Sequence, residues 1–210
     1  MSNLIKVYNK DEYFRLENCA IGMREGEIAV FPTETVYGVG TSALDKEAVN
    51  KLYELKNREY SEPISVLISN FDMIDDVAKD VTKLERKIME KFFPGPLTII
   101  LKKKENLPDV LNINGDTIGV RMPQNDIALK LIEYSKVPIA TTSANLAGKS
   151  SNTSINSIIY DFKSNVDWYV DGGECKVGVA STVLKVENDQ IKILREGSIT
   201  KEQILEACFD

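Results

Sequence analysis

Residues 28–40 read IAVFPTETVYGVG and combine a strand with the first candidate binding loop of the chain. The apolar run Ile28 to Phe31 is typical of a buried strand that ends at the following proline, which cannot donate a backbone hydrogen bond to a sheet. The loop TETVYGVG comes next, with Thr33 and Thr35 on either side of Glu34 and with glycines that let backbone approach a ligand. A ligand-binding loop is one interpretation, and a strand-to-helix connection capped by threonines is the other.

Strands and helices alternate along the chain beyond this stretch. Periodicity and capping residues predict helices over residues 10–24, 46–55, 72–79, 82–92 and 126–134, and strands over residues 64–68, 97–101, 118–122 and 137–142. A closing helix from residue 200 follows shorter strands at residues 166–170, 181–186 and 190–194. The alternation predicts a single α/β domain over residues 1–210, with a twisted, mixed or mostly parallel sheet flanked by helices.

The composition narrows the chemistry that such a domain can perform. The 210 residues include no histidine, the side chain whose unperturbed pKa lies nearest neutrality. Its absence excludes Ser-His-Asp and Cys-His catalysis and most zinc-dependent mechanisms. The formal net charge of −6 argues against a broad basic surface that coats nucleic acid, although a local basic pocket is compatible with it.

Cysteine usage and hydropathy predict a cytoplasmic protein with no membrane contact. The cysteines lie far apart in sequence and form no CxxC pair, which is typical of free thiols in a reducing compartment. The N-terminal stretch MSNLIKVYNKDEYFRLEN is polar and lacks the apolar centre of a signal peptide. No stretch approaches the ~18 consecutive apolar residues that a membrane-spanning helix needs.

Three further segments carry more cations and hydroxyls than a fold requires. Lys56 and Arg58 lie just past a predicted helix, where cations are usually a solvated face favoured by the helix dipole. Residues 141–151, TTSANLAGKSS, offer hydroxyls and an amide that can hold phosphate or carboxylate oxygens. Arg121 lies inside an apolar strand and Arg195 ends another, and a buried guanidinium is costly unless an anion meets it. These residues favour an anionic ligand and chemistry based on charge neutralisation.

Short motifs in these segments resemble, in the same order, those of the YrdC/Sua5 family of threonylcarbamoyl-AMP synthases. They span about residues 28–197 and read FPTETVYGVG, KNR, FFPGPLTIILKK, IGVRMP, PIATTSAN, DGG, STV and LREG. The resemblance implies a twisted α/β sheet with a central, positively charged cavity. It implies a nucleotidyltransferase that makes threonylcarbamoyl-AMP and pyrophosphate from L-threonine, bicarbonate and ATP with Mg²⁺. It also implies downstream proteins that transfer the group to tRNA as the t6A modification, with a possible contact to tRNA.

The resemblance implies roles for individual residues as well. Lys56 and Arg58 match the KxR motif of the family and are implied to be catalytic residues that also bind ATP. The threonine substrate is implied to contact Thr33, Arg121, Thr141 and Ser181. ATP is implied to contact, besides the KxR pair, Ser143 and Asn145 of the SxN motif and also Thr117, Ser151 and Arg195. No side chain of the chain is implied to be a metal ligand.

The implied reaction suits these side chains, because the carbamate formed from threonine and bicarbonate is itself an oxygen nucleophile. Its attack on the α-phosphate needs no histidine, and positioned cations neutralise the charge that develops on pyrophosphate. Arg121 suits the threonine carboxylate, since a guanidinium binds a carboxylate through two parallel hydrogen bonds. We expect Lys56 and Arg58 to face solvent or ligand rather than the core, and residues 148–153 to close over ATP because they are small and polar.

The sequence departs from the family pattern at two points. Some members carry a histidine on the strand after KxR, about where this chain has Leu67, so a substrate contact is missing or replaced. Longer members continue past the LREG position into a linker and a second domain, so the chain resembles the short form. Two other interpretations stay open, an RNA-binding module with the same cavity and a paralogue with another carbamoyl or nucleotide substrate. The acidic net charge and the lack of an aromatic stacking platform weigh against RNA binding.

Overall fold

The described strands form one sheet, and helices pack against it. The computed structural model describes residues 2–146, 148–149 and 152–209. The strands are β1 (Asn3–Lys6), β2 (Ala29–Phe31), β3 (Gly38–Ser42), β4 (Ser65–Leu67), β5 (Ala78–Lys79), β6 (Leu97–Lys103), β7 (Thr117–Arg121), β8 (Ile139–Ser143), β9 (Trp168–Asp171), β10 (Thr182–Glu187) and β11 (Gln190–Arg195). The helices are α1 (Glu17–Arg24), α2 (Lys46–Lys56), α3 (Ile74–Val77), α4 (Lys83–Phe92), α5 (Asp126–Ser135), α6 (Ile155–Phe162) and α7 (Lys201–Phe209).

The sheet mixes parallel and antiparallel pairs. Over the described residues it is 11-stranded, in the order β1-β9-β2-β3-β8-β4-β7-β6-β10-β11 with β5 beside β6. The pairs β1-β9, β2-β9, β4-β7 and β6-β10 are parallel, and the other pairs are antiparallel. The prediction of a mixed α/β sheet flanked by helices is confirmed, with antiparallel pairs more numerous than the alternation of elements suggested.

The prediction of a loop over TETVYGVG is wrong for the second half of that segment. Strand β3 begins at Gly38 and pairs antiparallel with β2 on one side and β8 on the other. A Cβ atom at Gly40 would lie only 2.5 Å from the carbonyl oxygen of Ala140, a distance that no side chain tolerates. Gly40 therefore serves the close packing of two strands rather than the approach of a ligand.

Other elements differ from the predicted ones in length or type. Residues 10–24 form a 3-10 segment over Lys10–Leu16 before α1, instead of one continuous helix. Residues 72–79 include only the short α3, followed by β5. Strand β1 and helix α6 were not predicted at all. The capping box at the start of α4 is confirmed, because the Thr82 and Glu85 side chains accept hydrogen bonds from each other's backbone N–H groups.

Helix α2 determines where the two cations of KNR lie. It begins at Asp45, whose side chain accepts hydrogen bonds from the N–H groups of Glu47 and Ala48 at 2.9 and 3.1 Å. It ends at Asn57, which adopts the left-handed conformation with φ of 48°. This cap ends the helix between Lys56 and Arg58, and the two side chains contact different segments, Ser143 for Lys56 and Glu62 for Arg58. Among the described residues, no helix has the length and apolarity needed to span a bilayer.

Candidate functional site

A cavity of about 400 Å³ lies over strands that are consecutive in the sheet, from β3 through β8, β4, β7 and β6 to β10. The loop between β2 and β3 and the segment before β10 complete its wall. The side chains and backbone that line it belong to Thr33, Thr35, Val36, Tyr37, Gly38, Arg58, Pro63, Ser65, Leu67, Thr98, Ile100, Gly119, Arg121, Thr141, Thr142, Ser143, Ala180, Ser181, Val183 and Arg195. The wall is thus rich in hydroxyls and arginines.

Most of the residues with implied substrate contacts meet in this cavity. It brings together Thr33, Arg58, Arg121, Thr141, Ser143, Ser181 and Arg195 from distant parts of the chain. Lys56, Asn145 and Thr117 do not line it. Ser151 lies outside the described residues, and so do parts of the 148–153 segment that we expect to close over ATP.

Lys56 is buried, with only 4% of its surface exposed, so the expectation that it faces solvent is wrong, while its implied contact with ATP stays a prediction. Its ammonium donates hydrogen bonds to the backbone carbonyls of Ser143, at 2.7 Å, and of Asn145. Burial and, to a lesser extent, the positive charge of Arg58 lower the pKa of Lys56 to about 8, although the negative charge of Glu62 acts in the opposite direction. The last residue of α2 therefore holds the backbone of residues 143–145, Ser-Ala-Asn, which we call the SAN loop.

Arg58 lines the cavity, in contrast to Lys56. Its Nε and Nη2 atoms donate to the carbonyl oxygens of Glu62 and Pro63 at 3.0 and 3.1 Å. Its Nη1 atom lies 3.3 Å from the carboxylate of Glu62, whose side chain is 59% exposed. Such an exposed ion pair contributes little to stability, and the backbone carbonyls hold the guanidinium at the wall.

Arg195 and Ser181 form a second polar group across the cavity. Arg195 donates to the carbonyl oxygen of Ser181 from Nη2 at 2.8 Å and from Nε at 3.2 Å, and to its hydroxyl at 3.2 Å. That hydroxyl also lies 2.8 Å from the Thr98 hydroxyl of β6. Burial lowers the pKa of Arg195, as do the positive charges of Arg121 and Arg58. The arginines therefore lie near enough to one another to favour an anion between them.

Arg121 is the most enclosed of the lining arginines, with 8% of its surface exposed. Its Nε donates to the carbonyl oxygen of Gly95 at 3.3 Å, and its Nη2 donates to the Thr35 hydroxyl at 3.0 Å. The same Nη2 lies 2.7 Å from a carboxylate oxygen of Glu34. Both oxygens of Glu34 are buried without a hydrogen-bond donor among the described residues, so this contact is an ion pair without a directed hydrogen bond.

The hydroxyls beside Arg121 have a defined direction. Thr35 accepts from Arg121, and its own oxygen lies 2.9 Å from that of Thr33, which in turn contacts the Val36 carbonyl at 2.6 Å. Because a guanidinium can only donate and a carbonyl can only accept, the protons point from Thr35 to Thr33 to Val36. The backbone N–H groups of Thr35 and Val36 also donate to Thr33, at 3.2 and 3.3 Å. The Thr33 hydroxyl is thus fully used within the loop.

The SAN loop supplies both bonded and unbonded polar atoms. Asn145 donates from its amide nitrogen to the carbonyls of Leu146 and Lys149, at 3.1 and 2.9 Å. Its amide oxygen is buried and has no donor within the described residues. Thr141, on β8, donates to the Ile139 carbonyl at 3.2 Å and faces the cavity. The free oxygen of Asn145 can accept from a hydroxyl or amino group, or bind a cation, but cannot bind a phosphate oxygen.

Thr117, the first residue of β7, does not line the cavity. It precedes Arg121 by four residues, which places it ~13 Å away along an extended strand. Its hydroxyl accepts a hydrogen bond from the Asn112 amide at 3.2 Å. This hydrogen bond fastens the preceding turn, and the implied contact of Thr117 with ATP stays a prediction.

Several lining residues were not singled out from the sequence. Ser65, Thr98 and Gly119 lie on β4, β6 and β7, and their neighbours in the sheet place them on the cavity side. Alternation along β6 is the available signal, since Thr98 and Ile100 are two residues apart and face the same way. Leu67, the position of the missing histidine, also lines the cavity and gives its wall an apolar patch.

Known proteins resemble this chain over most of its length. Residues 22–197 match the Sua5/YciO/YrdC family model, which carries the description "Telomere recombination". The chain belongs to this family. A threonylcarbamoyl-AMP synthase of Pyrococcus abyssi (strain GE5 / Orsay) is 40% identical over 204 residues, which cover 97% of this chain and 60% of that protein. A threonylcarbamoyl-AMP synthase of Bacillus subtilis (strain 168) is 40% identical over 191 residues, covering 90% of this chain and 55% of that protein.

A solved structure of the family has the same fold. The crystal structure of P. abyssi Sua5 complexed with L-threonine superposes with a TM-score of 0.95 at 39% identity, covering 99% of this chain and 61% of that one. This Sua5/YciO/YrdC chain therefore spans roughly 60% of the length of the P. abyssi relative.

Proposed function

We propose that the chain is a threonylcarbamoyl-AMP synthase, a nucleotidyltransferase that acts on L-threonine, bicarbonate and ATP. The observation that carries the proposal is one cavity that gathers Arg58, Arg121 and Arg195 with hydroxyls from five segments of the chain, which is 40% identical to synthases. Over the described residues its wall contains no aspartate or glutamate. That composition supports the central, positively charged cavity expected from the family, because each of the three reactants carries an anionic group: a carboxylate, bicarbonate or a triphosphate.

The reaction starts with the threonine amine, which attacks the carbon of bicarbonate and releases water to give a carbamate. A carbamate oxygen then attacks the α-phosphorus of ATP, and the bond to pyrophosphate breaks. We assign the carboxylate of threonine to Arg121, because this guanidinium lies at the enclosed end of the cavity. Thr141 and Ser181 supply hydroxyls nearby. Thr33 shapes the loop around this end, since its own hydroxyl is already used.

We assign the phosphates of ATP to Arg58 and Arg195, which neutralise charge as pyrophosphate leaves. Lys56 acts on the same end of the cavity indirectly, by holding the backbone of Ser143 and Asn145. The catalytic power of such a site comes from positioning and electrostatics, so a chain without histidine can supply it.

The residues of the chain fit a Mg²⁺ ion that arrives with ATP. The described residues contain no group of three or more Asp, Glu or Cys side chains that could hold a metal alone. Magnesium commonly keeps several waters and binds through substrate phosphates, so a cavity wall of hydroxyls and arginines without a carboxylate cluster fits an ion that the triphosphate brings. When bound, the ion would neutralise charge on the triphosphate. We place this activity in the cytoplasm, upstream of proteins that transfer the threonylcarbamoyl group to tRNA.

The test is pyrophosphate release by the purified chain. With L-threonine, bicarbonate and ATP present we expect continuous release, and omission of any one reactant should reduce it to background. Release that is independent of threonine would overturn the proposal and favour a paralogue with another substrate. RNA binding that weakens steeply with salt, without pyrophosphate release, would favour an RNA-binding module instead.

A further inference from the structure

Glu34 is an unusual residue because its carboxylate is buried yet has no hydrogen bond. Its side chain is 8% exposed, and neither oxygen has a donor among the described residues. Removing a carboxylate from water without hydrogen bonds is costly, so proteins usually place a neutral side chain at such a position. A charged residue at this position must therefore be explained by a favourable interaction with a neighbouring residue.

The neighbour is Arg121, and the contacts of its guanidinium are one-sided. Glu34 lies 2.7 Å from Nη2, which also donates to Thr35, while Nε donates to Gly95. The Nη1 atom makes no hydrogen bond to any described residue, and Arg121 lines the cavity. One side of the guanidinium is held by the protein and its other donors remain for a ligand.

Electrostatics explain why a carboxylate is needed on the protein side. Arg121 shares the cavity with Arg58 and Arg195, and its positive charge contributes to lowering the pKa of Arg195. Like charges in a cavity push a flexible guanidinium away from the others in the absence of an anion. Glu34 does not line the cavity, so it attracts Arg121 without competing for the ligand.

The side chain of Glu34 is not required to fold its own loop. The backbone carbonyls of Glu34 and Thr35 accept hydrogen bonds from Val177 and Gly178, at 2.9 and 2.8 Å. Thr33 closes the turn through its hydroxyl. These bonds do not involve the carboxylate, so loss of its charge leaves the loop in place.

We propose that Glu34 is a positioning residue that holds Arg121 ready for the carboxylate of an amino-acid substrate. This inference rests on the proposed function, and it adds that recognition of the carboxylate depends on a residue that never touches the substrate. Because Glu34 acts only through Arg121, its effect is confined to ligands that carry a carboxylate.

The experiment compares two ligands that differ in that group, L-threonine and L-threoninol, by isothermal titration calorimetry. The wild-type chain should bind L-threonine more tightly than L-threoninol. In Glu34→Gln, we expect the affinity for L-threonine to fall by about 10-fold, while that for L-threoninol changes less than about 2-fold. Equal weakening of both ligands, which a structural role or a contact with the amino group would cause, overturns the inference. Unchanged L-threonine binding overturns it too.

Two variants serve as controls. Glu62→Gln removes the carboxylate beside Arg58, an exposed partner, and should leave both affinities unchanged within about 2-fold. Glu34→Asp keeps the charge but moves it away from Arg121 by one methylene, so the affinity for L-threonine should fall by about 3-fold. This variant replaces Glu34→Gln in the test if Glu34→Gln does not fold. In an Arg121→Lys background, Glu34→Gln should cause no further loss, because the two residues act as one unit.

Binding and turnover separate this inference from the proposed function. A wild-type chain that binds L-threonine but releases no pyrophosphate would overturn the synthase, and the affinities would still decide the role of Glu34. A wild-type chain that binds no L-threonine would overturn both.

Discussion

Lys56 and Arg58 belong to one short motif, yet they lie in opposite environments. The Lys56 ammonium is buried against the carbonyls of Ser143 and Asn145, whereas the Arg58 guanidinium lies on the cavity wall beside an exposed carboxylate. The left-handed turn at Asn57 separates them. Two residues of one short motif can therefore have different roles, one holding the backbone of the site and the other lying on the wall where a ligand would bind.

The largest effect is expected from Lys56→Met, which keeps the length of the side chain and removes its charge. The carbonyls of the SAN loop lose their donors, so unfolding should occur about 5 °C lower, for a loss of about 2 kcal/mol. Pyrophosphate release should fall at least about 100-fold because the loop moves. Differential scanning fluorimetry and the turnover assay measure the two effects. Lys51→Met, at an exposed position of α2, is the control and should change neither.

Arg58→Ala should separate activity from stability. We expect pyrophosphate release to fall by about 30-fold, mainly through a higher KM for ATP, because a charged contact to phosphate is lost. The unfolding temperature should change by less than about 1 °C, since the ion pair with Glu62 is exposed. An unfolding temperature as low as that of Lys56→Met would contradict the difference between the two residues. Arg86→Ala, exposed on α4 outside the cavity, should behave as wild type.

The pH dependence of turnover tests the role of buried Lys56 without changing its size. With a pKa of about 8, Lys56 loses its charge above that pH, and its charge-assisted hydrogen bonds weaken. Activity should fall by about 5-fold between pH 7.5 and 9, while Lys56→Arg, whose guanidinium stays charged, should show a flat profile over that range.

Stability should respond to the same titration in the opposite sense. The folded-state pKa of Lys56 lies below its unfolded value of 10.5, so the unfolded chain binds more protons between about pH 8 and 10.5. The contribution of this residue to the free energy of unfolding therefore rises with pH across that window. Urea titrations of the wild type and of Lys56→Met should show this rise only in the wild type, and parallel curves would argue against a shifted pKa.

The smallest effect is expected from Thr117→Val. Thr117 lies outside the cavity and accepts a hydrogen bond from Asn112, so its loss should lower the unfolding temperature by about 2 °C and leave turnover within about 2-fold. A tenfold higher KM for ATP would contradict this expectation and would indicate that Thr117 contacts ATP, as the family resemblance implies.

The sequence predicted the fold wherever hydrophobic pattern and burial agree. The apolar runs of β2, β6 and β8 and the capped helices α2, α4 and α5 follow directly from such patterns. Strand β3 was not predicted because glycines are typical of loops. At Gly40, however, the glycine is required by close packing against the backbone of Ala140. Strand β1 is short and mostly exposed, and its two apolar residues, Leu4 and Ile5, are adjacent, so it has no alternating apolar pattern that would predict a strand.

The site was predicted by residue type more successfully than by position. Arg121 was conspicuous because a guanidinium in an apolar strand requires an anion, and the structure places it beside Glu34 at the cavity. The burial of Lys56 was missed because nothing in a helix C-terminus reveals which loop will pack over it. The role of Glu34 also depends on the pairing of distant segments, which no local pattern contains.

The order of strands in the sheet has a consequence for how this chain folds. Edge strand β1 pairs with β9, and β6 pairs with β10, so each pair joins segments from distant parts of the chain. Closing such long loops is slow, because chain entropy is lost before the contacts compensate for it. The cavity needs residues from Thr33 to Arg195. During synthesis it is therefore assembled late, only after almost the whole of the described chain has left the ribosome.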